Sequence, residues 1–178
     1  MCLDKRRLLM KAYIQSQFNY CPLVWMIHSR NLNNKINKIH ERALRIVYED
    51  YNSKFEELLK RDNSVTIHQK NLQYLAIEIY KVKRDLSPKI MKDLFQFNEN
   101  PAYRLRSGSH LQSRNSRTVF FGTESVVNLG AKIWNLVPKD IKDSPTLNVF
   151  KGKIKKWIPE KCPCRLCKIY INQVGFIN

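Results

Sequence analysis

Three cysteines near the carboxyl end are the residues whose types and spacing most resemble a metal-binding motif. Cys162, Cys164 and Cys167 span six positions, and thiolates are preferred ligands of Zn²⁺. A closed structural zinc site needs four ligands, so the fourth would have to be Cys2, Cys21 or a distant histidine. The Cys-x-Cys gap is also tighter than usual for zinc. We therefore predict reduced thiols here and no cofactor, with a zinc site as the open alternative.

A row of basic residues lies in the segment from Leu32 to Tyr48, at intervals of three and four residues. They are Lys35, Lys38, Arg42 and Arg45. This spacing puts them on one face of a helix, where they can follow the phosphates of a nucleic-acid backbone. The residues expected to pack inward are Ile36, Ile39 and Ile46. The alternative is that the basic face is only solvated, as charged helix faces usually are.

A second set of basic residues lies between positions 100 and 117, where the chain has no acidic residue. The four arginines are Arg104, Arg106, Arg114 and Arg117. Arginine-rich segments often become ordered on a phosphate surface, and Tyr103 can stack on a base. The alternative is a Ser/Arg linker that serves only to keep the chain soluble.

Residues for catalysis are harder to find. Enzymes that transfer phosphoryl groups with two Mg²⁺ ions clamp the metals with carboxylates, and the sequence has no Asp-Asp pair. Glu49-Asp50 and Glu56-Glu57 are interpreted as solvent-facing helix residues, because adjacent residues on a helix do not face one another. The four histidines, which are interpreted as structural or exposed, are His28, His40, His68 and His110. An enzyme that depends on a cysteine is a weak third possibility, since no nucleophile and base can be paired.

Composition and charge indicate a folded protein with a polyanion as its partner. The chain has 178 residues, of which 43% are hydrophobic and 11% aromatic, proportions typical of globular domains. Its net charge is +17 and its pI about 9.8, which favours phosphate binding with release of counterions. No apolar run is long enough for a membrane helix or a signal peptide, so we expect an intracellular protein without a membrane partner. Oligomeric state and compartment are not indicated.

The pattern of apolar residues predicts a mainly α-helical fold with at most one or two short strands. Apolar spacing predicts helices over 4–20, with Leu8, Leu9 and Tyr13 on one stripe, and over 32–48. Ser53 and Glu56 match a capping box that starts a short helix ending near Arg61.

Further along, Ser64 or Thr66 is expected to cap a longer helix. Its predicted buried residues are Ile67, Asn71, Leu72, Leu75, Ala76, Ile79 and Val82. Ser144-Pro145 is expected to start a last helix in which Leu147, Phe150, Ile154 and Trp157 form the apolar stripe. The organisation predicted is a helical domain over 1–97, a basic linker over 98–117 and a small helical unit over 118–178, where 118–121 can form one strand.

Several motifs resemble one family. Lys11-Ala-Tyr-Ile14 is followed by Phe18-Asn-Tyr-Cys-Pro-Leu-Val-Trp25, then by the basic helix through Ala43-Leu-Arg-Ile46. Together with Asn63 to Lys81, they resemble the segment just beyond the polymerase palm in reverse transcriptases of non-LTR (LINE-type, jockey-like) retrotransposons. The motifs Phe121 to Ser125, Lys132 to Pro138 and Cys162 to Tyr170 resemble the tails of one group of these elements.

The resemblance implies a thumb, a polymerase part that grips the primer–template duplex by its phosphates and makes no bonds. It implies that the chain is a nucleic-acid-binding, C-terminal part of an RNA-directed DNA polymerase, lacking the palm and not catalytic alone. RNA or DNA, and in the parent protein a polymerase palm, would be the partners. The alternative is a helical protein-interaction module whose apolar stripes dock a partner without nucleic acid.

Overall fold

The computed structural model describes residues 1–95 and 125–159, and residues 97, 111, 113, 117, 118 and 122. These residues are mainly α-helical, which confirms the predicted fold class. The described helices are α1 Leu3–Leu9, α2 Ser16–Asn19, α3 Pro22–Trp25, α4 Arg30–Tyr48, α5 Phe55–Asp62, α6 Ile67–Lys83, α7 Lys89–Leu94, α8 Val126–Leu136, α9 Lys139–Lys142 and α10 Leu147–Ile154. A π-helical segment, Met10–Gln15, joins α1 to α2. Among the described residues extended pairing is limited to an isolated antiparallel bridge between Phe97 and Leu111.

The chain divides into two compact units, Met1–Asn71 and Leu72–Asn178. The division falls inside α6, whose first residues belong to the N-terminal unit and whose remainder belongs to the C-terminal unit. Most of the linker that we predicted over 98–117 lies outside the described residues, as does most of the strand predicted over 118–121. The predicted boundary at the linker therefore stays a prediction.

In the N-terminal unit, α1, the π-helical segment and α5 pack against α4. Their apolar core consists of Met10, Ala43, Leu44, Val47, Leu58 and Leu59. A polar cluster joins the same helices at the edge of this core. Arg7 Nε donates to Asp62 Oδ1 at 3.1 Å, Arg7 Nη2 donates to the Tyr48 hydroxyl at 2.7 Å, and that hydroxyl donates to Asp62 Oδ1 at 2.9 Å. These bonds fix the position of α4 in its unit.

The apolar stripe predicted for the first helical segment is wrong. Leu8 is 67% exposed and Tyr13 is 73% exposed, whereas Met10 between them is buried. For Tyr13 the π-helical segment supplies a physical reason, because each π turn takes up more residues than an α turn and rotates the following side chains away from the 3.6-residue pattern. Leu8 precedes this segment, so α1 packs on α4 with a side other than the predicted one. The segment then ends at Asn19, and Cys21 adopts a left-handed conformation with φ of 42° before α3 starts at Pro22, as expected for proline at a first turn.

Two helix starts differ in how well the sequence predicted them. Thr66 forms a full capping box with Gln69, since Gln69 N donates to Thr66 Oγ1 at 3.2 Å and Thr66 N donates to Gln69 Oε1 at 3.1 Å. The predicted box of Ser53 and Glu56 is wrong. The Ser53 hydroxyl donates instead to Asp50 Oδ2 at 2.7 Å, so α5 starts one residue later and Lys54 N donates to Glu57 at 3.3 Å.

The C-terminal unit is built around aromatic contacts between α6, α8 and α10. Tyr80 stacks on Phe150 with ring centroids 4.2 Å apart, and Trp134 lies 6.2 Å from the same ring. The Tyr80 hydroxyl donates to the carbonyl of Ser144 at 2.7 Å. The face predicted for α6 is confirmed as buried, and so are Phe150 and Ile154 of the predicted last helix.

Two helical glycines of this unit have opposite surroundings. A Cβ atom at Gly130 in α8 would lie 2.7 Å from Phe95 Cε1 and 3.1 Å from Ile79 Cδ1, whereas a Cβ atom at Gly152 in α10 would meet nothing within 4 Å. The absence of a side chain at position 130 is therefore what lets the ring of Phe95 lie against the α8 backbone.

Candidate functional site

The two faces of α4 differ sharply in burial. The buried residues are Asn33, Ile36, Asn37, His40, Ala43, Leu44 and Val47. On the opposite face Lys35, Lys38 and Arg42 are exposed, and we call these three residues the basic strip. Ile39 and Ile46 are 48% and 59% exposed, so the prediction that they pack inward is wrong, while Ile36 is buried as predicted. Because α1 and α5 cover the arc around His40 and Leu44, Ile39 and Ile46 lie outside the buried arc.

The basic strip has no internal counter-charge. Within the part of the chain that the structure describes, none of the three side chains forms an ion pair, although cations on other helices of the unit do. Lys35 and Arg42 are seven residues apart, so the strip extends over about 10 Å at 1.5 Å per residue. Ser29 caps the start of the helix by accepting from Leu32 N at 3.4 Å. The strip is thus a row of solvated positive charges on an anchored, regular helix.

Arg45, the fourth basic residue predicted for this face, is engaged within the protein. Its Nη2 and Nε donate to Glu41 Oε1 at 2.7 Å and 3.3 Å, and its Nη1 donates to the carbonyl of Tyr51. These bonds tie the end of α4 to the loop that follows it. Arg45 therefore offers less charge to a ligand than the basic strip does.

Apolar residues accompany the basic strip on the same exposed face. Leu32 is 46% exposed, and with Ile39 and Ile46 it forms a row that we call the apolar strip. Sequence reasoning missed this arrangement. The signal was present, since the three residues are spaced by seven and the basic residues 35 and 42 fall between them, a spacing that keeps a row on one side of a helix.

Unlike the basic strip, two arginines near the carboxyl end of α4 are paired with carboxylates of the protein. Arg6 pairs with Glu49, and Arg61 Nη1 lies 3.1 Å from Asp50 Oδ2. Both acidic residues follow the end of α4 at Tyr48. Glu49 is exposed as predicted, whereas the Asp50 side chain is only 18% exposed, so the interpretation as a solvent-facing helix residue is wrong for Asp50. Hydrogen bonds from the hydroxyl and amide of Ser53 lower the pKa of Asp50 to about 2, so this carboxylate stays charged and paired.

The described histidines are buried or half-buried and contact other parts of the fold. His40 is 1% exposed and packs edge-on against Phe55 with centroids 5.6 Å apart. Neither of its ring nitrogens has a hydrogen-bond partner in the described part of the chain. Its pKa is lowered to about 4, mainly by burial; the charge of Asp62 opposes this shift and that of Lys70 adds to it. His28 Nδ1 lies 2.9 Å from the carbonyl of Trp25, and His68 is buried. His110 lies outside the described residues.

Most of the remaining predicted site residues fall outside the described part of the chain. Arg104, Arg106 and Arg114 do, and Arg117 is exposed. Cys162, Cys164 and Cys167 also lie outside it, so the structure does not test them.

In the described residues Cys2 and Cys21 are exposed free cysteines, and no group of three or more His, Cys, Asp or Glu residues is placed to hold a metal ion. Nor is any helix in this part of the chain both long and apolar enough to cross a membrane.

The structure thus brings together three of the eight predicted phosphate-binding residues on one open helix face, engages a fourth in the fold and leaves the arginines of the linker untested. In comparisons with known proteins, no family model matches this sequence, and neither a curated protein nor a solved structure matches it.

Proposed function

We propose that this chain binds the phosphate backbone of RNA or DNA through the basic strip of α4. The observation that carries the proposal is that Lys35, Lys38 and Arg42 are exposed and have no ion pair among the described residues, on a helix held by the Arg7, Tyr48 and Asp62 cluster. Solvated cations on a rigid element lose little on binding and release counterions from phosphates. A net charge of +17 adds long-range attraction of a polyanion.

In terms of origin, we propose the C-terminal thumb and tail of a non-LTR retrotransposon reverse transcriptase. The motifs around Phe18 to Trp25 and the basic helix support this origin. A thumb holds a duplex without reacting with it, so we expect no catalysis from this chain alone. Template-dependent nucleotide incorporation by the purified chain, with Mg²⁺ or Mn²⁺ on a primed template, would contradict this expectation.

Replacing Lys35, Lys38 and Arg42 together by Gln is expected to weaken duplex binding to a similar degree for all sequences. The dependence of log K on log salt should become shallower by nearly three units, at about 0.9 per lost phosphate contact. The measurement is a fluorescence-anisotropy titration with labelled duplexes of unrelated sequence at several salt concentrations.

The matched control is the triple variant Lys5→Gln, Lys11→Gln, Lys60→Gln. It removes the same charge from exposed positions on other elements of the same unit, and it should retain most of the salt slope. A separate Arg45→Gln variant should lower the free energy of unfolding and leave the salt slope for nucleic acid nearly unchanged, because Arg45 is bonded to Glu41 and Tyr51. Equal loss of binding in both triple variants would show that the basic strip contributes only through the net charge of the chain. That result would refute a specific interface.

A second candidate function, docking of a partner protein, is favoured by the apolar strip of Leu32, Ile39 and Ile46. Burial of these side chains against another protein would give an affinity that changes little with salt. The same titration separates the two functions. Replacing Ile39 and Ile46 by Ser should leave the salt slope for nucleic acid in place if phosphate contacts dominate.

A further inference from the structure

A pair of lysines in the C-terminal unit lies around one buried indole ring. Lys83 Nζ is 5.9 Å from the ring centroid of Trp134, and Lys142 Nζ is 5.7 Å from the same centroid. Lys83 is at the end of α6 and Lys142 at the end of α9, so two separate helices deliver the two ammonium groups. Like charges are expected to avoid one another unless something holds them there.

Attraction to the indole ring is one part of the balance, and it is modest. A cation near an aromatic ring is attracted by the negative face of the ring, and more strongly when the cation is desolvated. Lys142 is only 8% exposed. Burial lowers its pKa, the charge of Lys83 lowers it further, and Asp143 opposes the shift. The fold therefore keeps an ammonium group where both burial and a neighbouring charge disfavour it.

Around the Trp134 ring, the described side chains offer more hydrogen-bond donors than they have acceptors. Lys142 Nζ, which has three N–H groups, donates to the carbonyl of Asn135 at 3.4 Å. Trp134 is fully buried, and its Nε1–H has no acceptor among the described residues. Neither Lys83 nor Lys142 forms an ion pair with a carboxylate of the described residues. A ligand that complements such a cluster must offer several acceptors and negative charge, and it need not donate.

We propose that Lys83 and Lys142, beside Trp134, form a binding site for a phosphate group. A phosphate oxygen would accept from N–H groups of both lysines that have no acceptor among the described residues, in charge-assisted hydrogen bonds, which are shorter and stronger than neutral ones. Its negative charge would offset the repulsion between the two ammonium groups. Arg84 adds positive charge nearby while its own Nη2 donates to the carbonyl of Ser144 at 2.9 Å, so it is held by the fold. The site is independent of the basic strip.

The test is thermal unfolding of the full chain in inorganic phosphate against sodium chloride of the same ionic strength. The midpoint should rise with phosphate concentration and, above Kd, continue to rise in proportion to the logarithm of ligand over Kd. The variant Lys83→Gln should weaken phosphate binding by about tenfold or more, as expected for the loss of one charge-assisted contact. Lys142→Met, which keeps the length of the side chain, should do the same.

The matched control is Lys139→Gln, which removes an exposed lysine from α9, the helix that carries Lys142, and should respond to phosphate like the parent chain. Adenosine monophosphate and adenosine then separate the two sources of the group. A response to the nucleotide that exceeds the response to inorganic phosphate would indicate a phosphate ester as ligand, and an equal response would indicate the free ion. A phosphate response no larger than that to chloride, or one undiminished in Lys83→Gln, would overturn the proposal. The triple variant of the basic strip should keep the response.

Discussion

Lowering the pH from about 7 to about 4 is expected to destabilise the N-terminal unit by about 3 kcal/mol through His40 alone. The folded state holds this imidazole neutral, because burial lowers its pKa from 6.5 to about 4. In the unfolded chain the ring takes up a proton as the pH falls below about 6.5. Over that window the unfolded state binds more protons, so the free energy of unfolding decreases as the pH falls and levels off below about 4.

The check is urea unfolding at a series of pH values for the parent chain and for His40→Leu. In the variant, the decrease in the free energy of unfolding between about pH 6.5 and about pH 4 should disappear. At neutral pH the variant also no longer buries two ring nitrogens that lack partners among the described residues. Asp50→Asn is the matched control, since the stability that Asp50 contributes is present above its unfolded pKa of 3.8 and is lost as the pH falls through about 2. That variant should keep the His40 window. A pH profile unchanged by His40→Leu would show that other groups control acid unfolding.

Removing the carboxylate of Asp62 is expected to cost about 2–3 kcal/mol of stability. The Asp62 side chain is 5% exposed, and it accepts from Arg7 Nε and from the Tyr48 hydroxyl. In Asp62→Ala both donors lose their common acceptor, and the guanidinium of Arg7 loses its counter-charge. We place the value at the lower end of the range for broken ion pairs, because the Arg7 side chain is 33% exposed and water screens it.

Glu49→Ala provides the comparison for this effect. It breaks the ion pair with Arg6, but the Glu49 side chain is 67% exposed, so the loss should stay within about 0.5 kcal/mol. Both variants can be measured by urea unfolding at neutral pH, with helicity as the signal. If Asp62→Ala were no less stable than Glu49→Ala, the cluster would not be what holds α4 against α1 and α5.

Local signals predicted α4 as a helix, but they did not predict which arc of it is buried. Apolar residues occur around most of its circumference, so Ile36, Ile39 and Ile46 all looked suited to a core. The arc that α1 and α5 cover also contains Asn33, Asn37 and His40, which no hydrophobic pattern would place inside. Burial here was decided by the partners of the helix, and a single sequence does not reveal those partners.

The site shows the same division between local and long-range information. The basic strip follows from the spacing of Lys35, Lys38 and Arg42, and it was predicted. The pairing of Arg45 with Glu41 is an i,i+4 contact that the sequence also contains. The Arg7, Tyr48 and Asp62 cluster joins residues up to 55 positions apart, and the convergence of Lys83 and Lys142 on Trp134 requires three helices to be placed. Such contacts depend on tertiary packing that spacing alone does not specify.

The two helical glycines of the C-terminal unit make its mutational tolerance uneven. By helix propensity, alanine is favoured over glycine by about 1 kcal/mol at either position. At Gly152, where a Cβ atom meets nothing, a lineage that acquires alanine gains that difference. At Gly130 the same change drives a methyl group into the ring of Phe95, at a typical overpacking cost of about 1–3 kcal/mol. Selection for stability would therefore retain Gly130 and allow Gly152 to be replaced, although a helix-propensity scale ranks the two positions alike.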